Sequence, residues 1–393
     1  MTVNNKVYTA LINGKVNTAE TKQPVEGGVL IEGDKIIAIG KFDIPKGCNV
    51  VDLNGDSVFP GFIDPHTHIG LNEQAKGPVG VDVNEATNPV TAEVFALDGI
   101  YPSDSAFKEA LAAGITSSMV VPGSANIFGG VGTAIKHYSK DNLVSSLVIK
   151  KYAGMKAALG ENPKRNYGSK KTSPSTRMGS AAIMRQWLIK AKEYSDKKKQ
   201  AENDPEKMPT TDLKLENLSK VINKEMPLKI HAHRADDIAT ALRVAKEFSL
   251  KITLEHGSEA HLIVDHVKKY PFPVIVGPSL GVPSKVETKN KSLKGVKILS
   301  DAGLNVALTT DHPVLPIYRL LHAAALVVKE GVDEFTALQM ITINSAKILG
   351  LESRIGSIAV GKDADLTVYN GHPFDFLSKC RYTFVNGKKV YEA

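Results

Sequence analysis

The chain has 393 residues, against a prior of about 150 per domain, so it can bury one large core and a smaller second one, which excludes a peptide or a disulfide-stapled module. Its 49 Lys and Arg exceed its 42 Asp and Glu to give +7, over 42% apolar and 23% charged residues, an ordinary globular balance that excludes disorder as the dominant state. Two cysteines, Cys48 and Cys380, are too few for a disulfide framework, no secretory pattern opens the chain, and no apolar run approaches the roughly 18 residues of a membrane span, so a soluble protein of the reducing cytoplasm is expected.

In chain order, the run VYTALINGKVN and residues 28–39 (GVLIEGDKIIAI) read as short β-segments broken at Asn13-Gly14 and Gly33-Asp34, dipeptides that supply the positive φ of tight hairpin turns. From residue 60 onward short apolar strands alternate with longer amphipathic stretches, the texture of an α/β chain of βα units, with a barrel as the leading reading. The expected strands are Gly61–Asp64, Ile115–Val121, Leu147–Lys151, Leu228–His231, Ile252–His256, Val274–Val276 and Val306–Thr309. Helices are expected over Ser103–Ala113, 178–201 and Ala235–Phe248. In the second of these Ala181, Met184, Trp187, Leu188, Ala191 and Tyr194 recur at helical spacing as a core stripe. The basic cluster Lys197–Lys199 lies beside Glu193, Asp196 and Glu202, a solvated helix face, so no nucleic-acid partner is expected and none at a membrane. Residues 161–176 and 202–211, polar with Pro and Gly, read as surface loops. Asp365–Tyr369 and Tyr382–Tyr391, the latter turning at Asn386-Gly387, return to β grammar. Each terminal part alone offers too few strands for a sheet core, so the two are expected to form one discontinuous unit.

Chemistry concentrates at the ends of the expected strands. Val58–His68 (VFPGFIDPHTH) ends in His66-Thr67-His68, and alternate residues of an extended strand share a face, so both imidazoles can converge on one cation. An HxH pair alone is common by chance. PLKIHAH, ITLEHG and NVALTTD then place His231, His256 and Asp311 at the close of three further apolar runs. In a (β/α)8 barrel these positions face the C-terminal mouth, where active sites lie. Taken singly, each fits a hydrogen-bonded histidine or a helix-capping aspartate; four in barrel order point to one site. The loop PGSANIFGG, ending in Gly129 and Gly130, could bring backbone N–H groups close to an anionic substrate, with a plain flexible loop as the other reading. Arg234 could clamp a substrate carboxylate or simply start the following helix.

PGFIDPHTH, KIHAH, LEHG, TTDHP, NSAKILGLESRIGSIAVGKDADLTVYN and FVNGKKVY together resemble the metal-dependent amidohydrolase superfamily, and within it the imidazolonepropionase-related branch. The resemblance implies a (β/α)8 TIM barrel over residues 60–352, inserted into a small discontinuous β-sandwich of residues 1–59 plus 353–393. It assigns His66, His68 and Asp311 to a first divalent ion and His231 and His256 to a second, or to the single ion and substrate contacts, with zinc the leading metal and iron or manganese alternatives. It gives His233 to hydrogen bonding or substrate contact. A bridging group is expected from Lys156 or from Glu161. Catalysis then falls to Asp311 as general base and acid, with His256 or His231 on the developing oxyanion.

The implied activity is hydrolysis of a non-peptide carbon–nitrogen bond in a small amide, cyclic amide or imide by a metal-activated water, with a small-molecule substrate and an open oligomeric state. A metallodipeptidase or deaminase shares the ligands, although deaminase relatives often carry Glu three residues after the fifth-strand histidine, where this chain has Arg234. A non-catalytic scaffold or a basic nucleic-acid binder predicts damaged ligands or a clustered cationic face, and the sequence has neither.

Overall fold

The structure is a computed structural model that describes residues 7–201 and 204–393. Residues 1–6 of the expected terminal unit, and the first two residues of the loop expected over 202–211, lie outside the described residues. Two sheets of eight strands each organise the chain. The first begins with β1 (Tyr8–Val16), β2 (Val25–Glu32), β3 (Lys35–Gly40), β4 (Asn49–Asp52) and β5 (Ser57–Pro60). The second follows as β6 (Phe62–Thr67), β7 (Ile115–Val120), β8 (Phe128–Lys136), β9 (Val148–Ala158), β10 (Leu228–Ala232), β11 (Ile252–His256), β12 (Val274–Val276) and β13 (Val306–Leu308). The last three strands, β14 (Leu366–Tyr369), β15 (Cys380–Val385) and β16 (Lys388–Glu392), return to the first sheet, where β14 pairs antiparallel with β5. Both ends of the chain thus build one sheet over its own apolar cluster, including Leu11, Val29, Ile31, Val58, Leu366 and Phe384.

The turn chemistry holds at two of three places. Gly33 (φ 62°) joins β2 to β3, and Asn386 and Gly387 (φ 50° and 72°) join β15 to β16. Asn13-Gly14 makes no hairpin: β1 runs through it, with a register shift against β2 between Leu11 and Gly14. A side chain at 14 would run into Leu53, so this glycine serves close packing within a bulged strand.

The second sheet runs in the order β6 to β13 and nearly closes into a barrel. His68 N donates to His312 O (2.8 Å), and the Thr309 hydroxyl lies 2.6 Å from His66 O, tying the last strand to the first. Pairing is parallel from β6 to β7 and from β9 through β13. It is antiparallel on both sides of β8, a departure from the all-parallel expectation. The run FGGVGTAIK resembles a flexible loop because of its glycines, yet all nine of its residues are buried. The glycines admit neighbours that a side chain would displace: a Cβ at 130 would lie 2.5 Å from Val94 O, and one at 132 would lie 2.5 Å from the end of Met119.

Helices cover the outside of this sheet. The longest, Arg177–Gln200, buries Ala181, Met184, Leu188, Ala191 and Tyr194, and its first turn is capped by the Thr176 hydroxyl, which accepts from Gly179 N (3.0 Å). Part of the loop expected over 161–176 is a helix, Glu161–Gly168. Its proline lies in the first turn, where a missing N–H costs nothing, and Gly160 (φ 87°) turns the chain into it. Among the described residues no helix is long and apolar enough to cross a membrane.

Candidate active site

The side chains singled out at strand ends converge at one mouth of the barrel-like sheet. His66 comes from β6 and His68 from just beyond it, His231 and His233 from the end of β10, His256 from the end of β11, and Asp311 from the loop after β13. Two of these residues adopt left-handed backbone, His256 (φ 69°) and Asp311 (φ 52°). Such conformations cost energy in a non-glycine residue and persist where surrounding structure enforces them. At His256 the reversal breaks strand alternation, so both Glu255 and His256 approach His66: Glu255 Oε2 lies 2.5 Å from His66 Nδ1, and the two imidazole centroids are 4.8 Å apart.

Hydrogen bonds from Nδ1 orient the imidazoles of His68 and His256. His68 Nδ1 donates to Val121 O (2.7 Å) and His256 Nδ1 to Gly277 O (2.7 Å); a carbonyl only accepts, so Nε2 of each ring keeps its lone pair. Only glycine fits at 277, since a Cβ there would fall 2.1 Å from Thr309 O. His66 Nδ1 donates to Glu255, and its Nε2 faces Lys156 Nζ (3.0 Å) and Asp311 Oδ1 (3.6 Å). Asp311 Oδ1 also lies 3.1 Å from His68 Nε2. Behind this group the wholly buried Asp64 accepts from Thr310 N (3.0 Å) and its hydroxyl (2.6 Å), and from the Thr309 hydroxyl (2.7 Å), locking the Asp311 loop to β6.

The electrostatics favour neutral imidazoles. Burial, with Lys156 adding to it, pushes His66 down to about 4 against the opposing pull of Glu255. Burial and then Lys285 push His233 to about 3, and burial holds His231 and His256 well below their ordinary value. Burial would raise Asp311, but His256, His68 and His66 overcome it and hold the carboxyl far below the usual range. Burial also pushes the Lys156 ammonium down to about 8, with Asp311 and Glu255 opposing.

These are the states in which His and Asp bind metal. Among the described residues two groups bring ligand atoms within 4.8 Å of one another: His66, His68 and Asp311, and separately His231, His233 and Glu287. The donor set fits a divalent cation on a further count, because Asp311 Oδ1 and Glu287 Oε1 are buried without a hydrogen-bond partner among the described residues. Between these groups and solvent lies a cavity of about 490 Å³, lined by residues that include His68, His231, His233, Asp311, Lys285 and Lys291.

Lys156 reaches this cluster from β9. Glu161 does not bring its carboxylate there: its side chain faces Arg165 (3.6 Å), and what it sends inward is its backbone N–H, donated to Glu287 Oε2 (2.8 Å). Arg234 spends its guanidinium on Asp236 (3.0 and 2.9 Å) and lines a separate cleft beside Arg177. Gly129 lies within β8, 3.5 Å from the Lys156 stem by its missing Cβ, and Gly130 packs against Val94; neither lines the cavity.

Residues 57–390 match the Amidohydrolase family. The chain belongs to the amidohydrolase family. It is similar to the crystal structure of an amidohydrolase from Thermotoga maritima MSB8, at 44% identity and a TM-score of 0.95, over 98% of this chain and 100% of that one. It is 22% identical over 380 residues to an imidazolonepropionase of Thermoplasma acidophilum, covering 91% of this chain and 86% of the relative. It is 27% identical over 375 residues to the amidohydrolase tasK of Hapsidospora irregularis, covering 88% of this chain but 38% of that protein's length. This amidohydrolase is a hydrolytic enzyme.

Sequence reasoning passed over Glu255, Glu287, Ser124 and Asn162. The Ser124 hydroxyl lies 2.9 Å from His231 Nδ1, and Asn162 Nδ2 lies 3.4 Å from its Nε2. Glu255 stands inside the recognised LEHG run, where strand alternation would turn it away from His256; the backbone reversal carries no signal in composition. Glu287 lies in a charged stretch, SKVETKNKS, that reads as ordinary surface.

Proposed function

We propose that this amidohydrolase hydrolyses a non-peptide carbon–nitrogen bond in a small amide, cyclic amide or imide, on a (β/α)8-type barrel that carries one or two divalent ions, zinc foremost. The observation that carries the reading is the convergence of His66 Nε2 and His68 Nε2 on Asp311 Oδ1, a buried carboxylate oxygen without a hydrogen-bond partner among the described residues. His66, His68 and Asp311 would hold the first ion and His231 with His256 a second, and Lys156, whose Nζ faces His66 Nε2, would serve as the bridging candidate once carboxylated by CO2. A bound divalent cation lowers the pKa of a coordinated water from 15.7 toward about 7 and polarises a carbonyl.

The chain's own groups do the rest. Asp311, ionised and acceptor-only, orients the attacking water, takes its proton and returns it to the leaving nitrogen. His256, expected from the sequence as an oxyanion donor, has its one N–H committed to Gly277 O, so it offers Nε2 as a ligand and does not donate to the developing oxyanion. Glu255 holds the His66 tautomer. The two lysines at the mouth, Lys285 and Lys291, favour a substrate with an anionic group, since among the described residues Asp311 is the lone carboxylate that lines the cavity. His233 is placed for substrate contact on the same wall.

Purified protein, stripped with chelator and reloaded with zinc, manganese or iron, is assayed on carboxylate-bearing cyclic amides and imides, on dipeptides and on aminated rings. Metal-dependent ring opening without ammonia or ninhydrin-positive release is expected. Less than one equivalent of bound metal, with no recovery on reloading, would overturn the proposal, and ammonia release would redirect it to deamination.

A further inference from the structure

Glu287 has a position that neither the ligand scheme above nor simple packing uses. It lies in the loop after β12, nearly fully buried, and its carboxylate is divided between two tasks. Oε2 accepts from Glu161 N (2.8 Å), where the N-terminus of helix Glu161–Gly168 favours an anion. Oε1 makes no hydrogen bond among the described residues and points between two rings, 3.8 Å from His231 Nε2 and 3.9 Å from His233 Nε2.

Those separations are too long for hydrogen bonds. They approach the roughly 3.4 Å that separates ligand atoms on a tetrahedral ion with bonds near 2.1 Å. Both rings are already held from behind, His231 Nδ1 by Ser124 Oγ (2.9 Å) and His233 Nδ1 by Ser258 Oγ (2.8 Å), the outer-layer support that ligating histidines require. Lys285 is 3.9 Å from Glu287 Oε1 and spends its closer contact, 2.9 Å, on Asn162 Oδ1, and the Arg177 guanidinium, also near Glu287, is paired with Asp237 (3.0 Å). Glu287 therefore keeps a lone pair for a ligand.

We propose that His231, His233 and Glu287 form a seat for a divalent transition-metal ion, displaced from His256 toward the cavity wall and competing with it for His231 Nε2, the nitrogen that Asn162 Nδ2 faces at 3.4 Å. The inference rests on the metal-dependent reading above and revises its second position: the ion given there to His231 and His256 would sit outward, where the substrate meets it at the wall of the cavity. The ligand set, two imidazoles and one carboxylate with the cavity open on the remaining side, suits zinc or cobalt with an exchangeable position.

The test uses full-length protein, stripped and titrated with cobalt(II), with bound metal counted by elemental analysis and located by anomalous diffraction. Glu287→Gln keeps an acceptor for Glu161 N while removing the charge, and His233→Asn provides a second, independent lesion. The proposal expects an anomalous peak bounded by His231, His233 and Glu287, and a roughly tenfold or greater weakening of one cobalt equivalent in both variants. It also expects His256→Asn to retain that equivalent. A second peak between His231 and His256, or unchanged cobalt binding in both variants, would overturn the outer seat while leaving the ion at His66, His68 and Asp311 untouched. No cobalt bound anywhere would overturn the outer seat and the metal-dependent reading together.

Discussion

Two buried clusters of charge in this amidohydrolase differ in how their groups are matched. Where the two sheets meet, Lys136 at the end of β8 reaches Asp363 (2.8 Å), Asp365 (2.9 Å) and the Asn386 side chain, while Asp363 also takes Lys35 (2.5 Å) and Arg354 (2.8 Å). Opposite charges alternate, Lys136 has three partners, and Asp365 Oδ2, which has no hydrogen bond among the described residues, still lies 2.9 Å from the Lys136 ammonium. At the barrel mouth four rings crowd within 5.0 Å of His256 or of one another, an ammonium faces an imidazole, and two carboxylate oxygens have no donor among the described residues. A cluster that closes on itself fastens elements together. One that leaves lone pairs directed at a shared centre is prepared for something to be added.

The comparison breaks first at Asp311. Asp311→Asn is expected to lower turnover on any hydrolysed substrate by about 10³-fold, the range for loss of a general base, with the thermal midpoint little changed; a destabilised but active variant would place Asp311 among the fastening groups. Lys136→Met is the reciprocal lesion. It leaves Asp365 buried without its cation, and about 3–5 kcal/mol of stability should disappear in denaturant titration, while the folded fraction retains wild-type metal content.

Glu255→Gln sharpens the distinction within the mouth. It weakens the carboxylate that fixes the His66 tautomer, and metal affinity measured by competition with a chelator should fall about 10–100-fold. The smallest effect is one of acidity. Burial would raise Asp363, but Lys136 and Lys35 overcome it and hold the carboxyl at about 2, below its ordinary 3.8. A depressed carboxyl contributes stability that is complete above the unfolded value and is lost as pH falls through the folded one. The difference in unfolding free energy between wild type and Asp363→Asn should therefore be constant above pH 4 and shrink between about 4 and 2; a constant difference down to pH 2 would refute it.

Much of the site was legible because the ligands end apolar runs. In VFPGFIDPHTH, PLKIHAH, ITLEHG and NVALTTD, the polar residue comes where a buried strand must emerge, so position along the run already specifies the end of the sheet. Arg234 shows the limit of such placement: one residue past His233, it belongs to the start of the next helix and pairs with Asp236 instead of facing the cavity. Glu161 shows another, since its side chain and its backbone N–H point to different partners. The strand Phe128–Lys136 was hidden because its glycines, chosen for close contact with Val94 and Met119, look from sequence like those of a mobile loop.

The sequence by itself determined the alternation of buried strands with amphipathic helices, the β character of both ends, and the identity of the histidines and the aspartate at the strand ends, because each of these depends on local periodicity. The tertiary structure alone decided that β8 runs antiparallel, that Lys156 rather than Glu161 reaches His66, and that Glu287 joins His231 and His233. Those facts depend on how distant segments approach one another and on backbone reversals at His256 and Asp311, which are enforced by packing across the whole sheet and leave no trace in residue order.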